Sequence, residues 1–206
     1  MSPEPPPLPG TWTAWALSST WQTANRNRPE LANLLDGEFD RHQRARDGAF
    51  RDRLVASRAF AKWFAFRVLG HPVRLVKDAR GKPGLADQDG QPVPGIDFSL
   101  AHTGDVLAVA VSQAGRVGVD VEVRDRPVDS PAFRARACHP AEPTDDPVRL
   151  WTVKEAIAKA RGEGLLLDFR TVRADRPPPG WRVHTEVVAD RYRLTTALGP
   201  WEKETA

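Results

Sequence analysis

Ile96–Val123 reads IDFSLAHTGDVLAVAVSQAGRVGVDVEV. Apolar and polar residues alternate in the first and third pieces of this stretch, as side chains do on the two faces of a strand, and the middle piece, VLAVAVS, is apolar almost throughout. Gly104-Asp105 separates the first two pieces and is a two-residue hairpin signal. Gln113–Arg116 (QAGR) reads as a second turn before VGVDVEV. Three strands joined by such short turns predict an antiparallel meander.

Upstream, the period changes. Phe50, Leu54, Ala61, Phe64 and Val68 recur at spacings of three, four or seven. They predict a long helix over Asp47–Leu69, stopped by Gly70 and Pro72. Val73–Val76 is a short strand candidate, and ARGKPG at 79–84 a turn. Thr11–Ser19 reads as a first strand behind a Pro-rich tail.

Downstream, Arg124–Pro147 holds five prolines and many charges and reads as a loosely held flap. A second helix is predicted over Val148–Arg161, its apolar stripe formed by Leu150, Val153, Ile157 and Ala160. Gly162 and Gly164 stop it. FRTVRA, WRVHTEVV and YRLTTAL then read as strands. The expected class is α+β, with two pseudo-symmetric halves that each pack a long helix on a small antiparallel sheet. The division expected is a tail at 1–10, halves at 11–105 and 106–200, and a tail at 201–206.

Composition sets outer limits. The 206 residues are 40% apolar and include seven Trp, enough to bury a core. Cys138 is the single cysteine, which excludes an intrachain disulfide and a multi-cysteine metal site. The opening MSPEPPPLPG has neither the basic nor the apolar run of a signal peptide, and no stretch approaches the roughly 18 apolar residues of a membrane span. A cytoplasmic protein with no membrane partner is expected. The formal charge of +3 favours an anionic partner. Against 30 Lys and Arg stand 27 Asp and Glu, and no nucleic-acid motif is present, so no nucleic-acid partner is expected.

Several residues carry chemistry. On a strand over 117–123, Val117, Val119, Val121 and Val123 would face a core, leaving Gly118, Asp120 and Glu122 on the other side. Paired carboxylates of this kind suit Mg²⁺, although an isolated Asp-x-Glu more often marks only the acidic outer face of a half-exposed strand. In WTVKEAIAK at 151–159, Trp151, Glu155 and Lys159 stack at spacings of four. Glu155 and Lys159 also satisfy the pattern of a plain surface ion pair. Lys82 in the Gly-Lys-Pro turn and His102 in its strand are each compatible with ordinary structural roles.

Their order is more informative. Gly81-Lys82-Pro83, Phe98-x-x-x-His102-Thr103, GVDVE at 118–122 and WTVKEAIAK at 151–159, continued by Lys159-Ala-Arg-Gly-Glu-Gly164, resemble the motif series of the Sfp-type 4′-phosphopantetheinyl transferases. The resemblance covers about residues 44–167, and RDRLVASR at 51–58 is similar to that family's Arg-bearing helix.

It implies two similar α+β halves with coenzyme A between them, and transfer of its phosphopantetheine arm to a serine of an acyl or peptidyl carrier protein. It implies Mg²⁺ held by Asp120, Glu122 and Glu155, with Glu155 as base for the serine, directly or through a water. Lys159 would stabilise the departing 3′,5′-ADP. Lys82, Pro83, His102 and Thr103 would hold the nucleotide, with Arg53 assisting. Two halves in one chain imply a monomer. Ala101 stands where the family commonly has Ser, and the flap is short. Both features keep open a catalytically reduced coenzyme A- or carrier-binding protein of the same fold.

Overall fold

The computed structural model describes residues 7–25 and 31–201. Of the expected tails, 1–6 and 202–206 lie outside the described residues. β1 (Thr11–Leu17), α1 (Ser18–Asn25), α2 (Leu31–Leu35) and α3 (Phe39–Arg44) lead into α4 (Gly48–Leu69). β2 (Arg74–Lys77) and β3 (Pro83–Ala86) pair as a hairpin, followed by β4 (Asp97–Thr103), β5 (Val106–Ser112) and β6 (Arg116–Val123). α5 (Pro131–Ala137), α6 (Pro147–Arg161), β7 (Arg182–Val188) and β8 (Tyr192–Gly199) follow.

The two long helices form where their end signals stand. Asp47 caps α4 by accepting the Ala49 N–H at 2.9 Å, and Gly70 ends it at φ +79°. Asp146 caps α6 through the Arg149 N–H at 2.9 Å, with Pro147 at the first helical position.

Apart from the two-stranded β2–β3 sheet, the strands form two three-stranded antiparallel sheets of identical layout, ordered β1-β5-β4 and β6-β8-β7. Each half therefore runs strand, long helix, then hairpin, with its last strand in the centre. This is the α+β pair of halves that the element order led us to expect. The three-strand meander is not formed. β4 and β5 do make a hairpin, turning at Gly104 with φ +54°, but β1 and β4 occupy both edges of β5, so β6 pairs with β8. Val106–Ser112, which a division at residue 105 would give to the second half, is thus the central strand of the first sheet.

Four layers result. Phe60, Ala61 and Ala65 of α4 pack on Phe98, Leu107, Val109 and Val111 of the first sheet. Its other face sets Ala101, Val106, Ala108 and Ala110 against Val117, Val119, Val121 and Leu194 of the second sheet. α6 closes the far side through Leu150, Val153, Ala156 and Ile157. Where β6 faces β4, side chains replace a ladder: Asp97 accepts the Val117 N–H at 2.6 Å and Ser99 Oγ the Val119 N–H at 3.0 Å.

Two local expectations fail. FRTVRA is not a strand, because Phe169–Thr171 is a 3₁₀ turn capped by the Asp168 side chain, which accepts the Arg170 N–H at 3.1 Å. Nor is 124–147 a loose flap. It contains α5 and is pinned by Glu142, which accepts from Lys154 Nζ at 2.5 Å with both side chains fully buried. Lys154 spends its other two donors on the Ala137 and Phe169 carbonyls at 2.6 and 2.9 Å. Glu142 also takes the His139 and Ala174 N–H groups at 2.5 and 3.0 Å. Residues 138–141 are accordingly the loop between α5 and this anchor.

Two substitutions test this packing by chemical denaturation. A Cβ at Gly118 would lie 1.8 Å from the Ala156 carbonyl oxygen and 2.6 Å from the Ala160 nitrogen, so Gly118→Ala should destabilise by about 3 kcal/mol or more. Gly48→Ala, where a Cβ meets nothing within 4 Å, is the neutral control. Lys154→Met strands the Glu142 charge and should cost about 3–5 kcal/mol, part of which Lys154→Met/Glu142→Leu recovers.

Candidate functional site

The alternation read in β6 holds, and its polar face is covered. Val117, Val119 and Val121 are buried against the first sheet, while Gly118 and Asp120 lie under α6. Because residue 118 has no side chain, the helix backbone rides directly on the strand, and Lys159 reaches across to Asp120. Its Nζ donates to Asp120 Oδ1 at 2.6 Å. The plain Glu155–Lys159 surface pair is therefore not what forms.

Asp120 Oδ2 is buried and has no hydrogen-bond partner. Burial pushes the Asp120 carboxyl above the usual carboxylate range, against the pull of Lys159 and with a further push from Glu122. Glu155 is raised in the same way, first by desolvation and then by the charge of Asp120. Glu155 makes no hydrogen bond or ion pair among the described residues, so both carboxylates carry negative charge that nothing fully answers. A cation between them would relieve it.

Glu122 is engaged differently. Thr103 Oγ1 donates to its Oε2 at 3.1 Å, and Arg126 pairs with its Oε1. Among the described residues no group of three or more His, Cys, Asp or Glu side chains forms a preassembled metal cluster. The three carboxylates read as one ligand set are thus electrostatic neighbours, with Arg126 standing over one of them. The donor chemistry still fits a hard divalent cation. The unpartnered Asp120 oxygen and Glu155 offer oxygen ligands, and Mg²⁺ characteristically takes one or two carboxylates beside substrate phosphates.

Beside this pair opens a cleft of about 690 Å³ between the halves. Its lining gathers Arg53, Lys82, Pro83, His102 and Lys159, five of the residues singled out from sequence motifs. Thr103 is not among the lining residues, its hydroxyl being turned to Glu122. Apolar lining comes from Phe50, Leu54 and Leu100. The His102 imidazole is held below its ordinary range by desolvation in the cleft and then by the charges of Arg53, Lys159 and Arg58.

Lys82 is not free to swing into the cleft. Its ammonium pairs with Asp97 and donates to the Ala160 carbonyl at 3.0 Å, with the side chain 6% exposed. Arg116 Nε donates to the same carbonyl at 3.1 Å. Both cations sit at the C-terminal end of α6, where the helix dipole favours them. Lys82 therefore clamps the first half to α6.

Two further carboxylates organise the cleft. Asp97 joins Lys82, Arg116 and the Val117 N–H; its position just before Phe98 in a predicted strand was the signal for it. Glu38 gathers Arg41 at 3.1 Å, Arg58 at 3.9 Å and Lys77, and all three cations line the cleft. Residues 20–46 show no periodicity that would have found Glu38.

Comparison with known proteins agrees with the motif series. A model of the 4′-phosphopantetheinyl transferase superfamily matches residues 116–196. The chain is 32% identical over 132 residues to the 4′-phosphopantetheinyl transferase AcpT of Escherichia coli strain K12, covering 58% of this chain and 63% of that one. It is 26% identical over 187 residues to the human L-aminoadipate-semialdehyde dehydrogenase-phosphopantetheinyl transferase, covering 82% and 59%. The 4′-phosphopantetheinyl transferase HetI of Nostoc sp. is 29% identical over 148 residues, covering 65% and 62%. The chain thus spans about three fifths of the length of these relatives. The stretch that carries β6, α6 and the buried acidic pair is the one that this superfamily's model matches.

Proposed function

We propose that this chain transfers the 4′-phosphopantetheine arm of coenzyme A to a serine of an apo acyl or peptidyl carrier protein. The observation that carries this reading is the buried, half-answered Asp120 carboxylate. It is tied to Lys159 and beside Glu155, at the end of a basic cleft.

In this mechanism Arg53 and His102 receive the anionic nucleotide, with the field of Lys82 behind them, and Pro83 and the apolar lining accommodate its base. Glu155, which has no competing hydrogen bond, takes the proton from the attacking serine hydroxyl. A bond forms from the serine oxygen to the phosphorus bearing the pantetheine arm, and the bond from that phosphorus to 3′,5′-ADP breaks. Lys159 answers the charge that collects on the bridging oxygen as it departs on the 5′-phosphate of 3′,5′-ADP. Mg²⁺, held by Asp120 and Glu155 and by Glu122 once Arg126 has released it, would neutralise charge on the pyrophosphate.

Ala101 bears on the reduced, binding-only alternative. It is 7% exposed and packs between the sheets, on the strand face opposite His102, so its methyl replaces nothing in the cleft wall. We propose a monomer, in keeping with two complementary halves in one chain, and a cytoplasmic location. No helix among the described residues is long and apolar enough to cross a membrane.

Intact-mass spectrometry of apo carriers with coenzyme A and Mg²⁺ tests the reading. A gain of one phosphopantetheine arm is expected, abolished by EDTA and slowed about 10²–10³-fold in Glu155→Ala and Asp120→Asn. Folded protein that modifies no acyl or peptidyl carrier would sink it. A histidine NMR titration is the second check. The His102 imidazole should titrate below its ordinary range in the free protein and move upward when coenzyme A answers Arg53, Arg58 and Lys159. A midpoint indifferent to coenzyme A would remove His102 from the nucleotide site.

A further inference from the structure

The turn after α6 turns two large apolar side chains to solvent. Leu165 is 80% and Leu166 93% exposed, while Leu167 beside them is 8% exposed and packs into the core around α6. The backbone that displays them is ordered by hydrogen bonds. Glu163 N–H donates to the Ala158 carbonyl at 3.1 Å, and Leu166 N–H to that of Glu163 at 3.0 Å. Gly162 and Gly164 give the turn its left-handed corners, at φ +70° and +52°. A lone exposed leucine means little, but an adjacent pair on a fixed turn at the mouth of a charged cleft marks a contact surface.

We propose that Leu165 and Leu166 are the apolar contact on which the carrier protein docks, and that the partner presents an apolar ridge bordered by carboxylates. The proposal rests on the transferase reading above. Two features of the molecule argue for this occupant.

The first is reach. A specific protein interface covers about 800 Å² per partner, a patch of roughly 16 Å radius. Lys159, at the reacting end of the cleft, lies only six and seven residues before the two leucines, and all three line the same cleft. A partner that brings a serine to that end must cover the turn. The second is charge. Arg80 lines the same cleft and forms no ion pair among the described residues, so it is available to a carboxylate flanking the ridge.

The test is L165S/L166S. With both side chains exposed, the double variant should keep the melting temperature of the parent. Its KM for the carrier, and the carrier Kd measured by titration without coenzyme A, should each rise about tenfold. kcat at saturating carrier and the coenzyme A Kd should stay unchanged. An unchanged carrier KM and Kd beside a parent that transfers normally overturns the docking surface and leaves the transferase reading standing. Loss of coenzyme A affinity instead assigns the leucines to the nucleotide. A parent dimer that the variant converts to monomer, seen by light scattering, assigns them to a second copy of this chain. A parent that neither binds nor modifies any carrier removes the transferase reading itself.

Discussion

The backbone of α6 rests on β6 at a separation that leaves no room for a side chain at residue 118. Most of the site follows from that contact. Had the helix been held off by a methyl group or more, Lys159 could not span the gap to Asp120, and Asp120 would be hydrated like any strand carboxylate. Close apposition excludes water from one carboxylate, places Glu155 beside it, and sets an ammonium against only one of its two oxygens. Glycine in the Gly-Val-Asp-Val-Glu motif is there for packing, and the chemistry is a consequence of that packing.

The cations of the molecule sort by how completely they are answered. Lys154 is sealed, with three acceptors for its three N–H groups and no contact with solvent, so it can only hold α5 and the loop after it. Lys82 is nearly sealed and joins the halves. Arg41, Arg58 and Lys77 share the single carboxylate of Glu38, leaving positive charge in excess along that wall. Arg53 and Arg80 have no carboxylate partner among the described residues. A ligand can draw most directly on the last two groups and on Lys159.

The sequence was most informative where a periodic pattern met an end signal. α4 between Asp47 and Gly70, α6 up to Gly162, and the hairpin at Gly104 fall within a residue or two of expectation. Pairing across sheets was not legible. Alternation says that 116–123 is a strand, but nothing local says that β5 already has both edges filled. Asp120, Glu155, Lys159 and His102, which the fold brings near one another, were picked out by motif order, which spacing alone would not have allowed. The roles of Lys82 and Thr103 were less so. Their partners, Asp97 with the Ala160 carbonyl and Glu122, lie 15, 78 and 19 residues away, beyond any local signal. Glu142, 12 residues before Lys154, was hidden for the same reason inside a stretch that composition alone would call loose.

Both sheets share one further property: the strand made last in each half lies in its centre. On the ribosome this imposes a schedule. The first sheet can close once Ser112 has cleared the exit tunnel, with α4 already available to cover it. The second cannot, because β6 and β7 have no ladder partner until Tyr192–Gly199 is made. Throughout that interval α6 has only half of its seat, and the acidic pair stays open to water. The half that holds the acidic pair is therefore the last part to exist during synthesis, and a nascent chain released a few residues early would lose it whole.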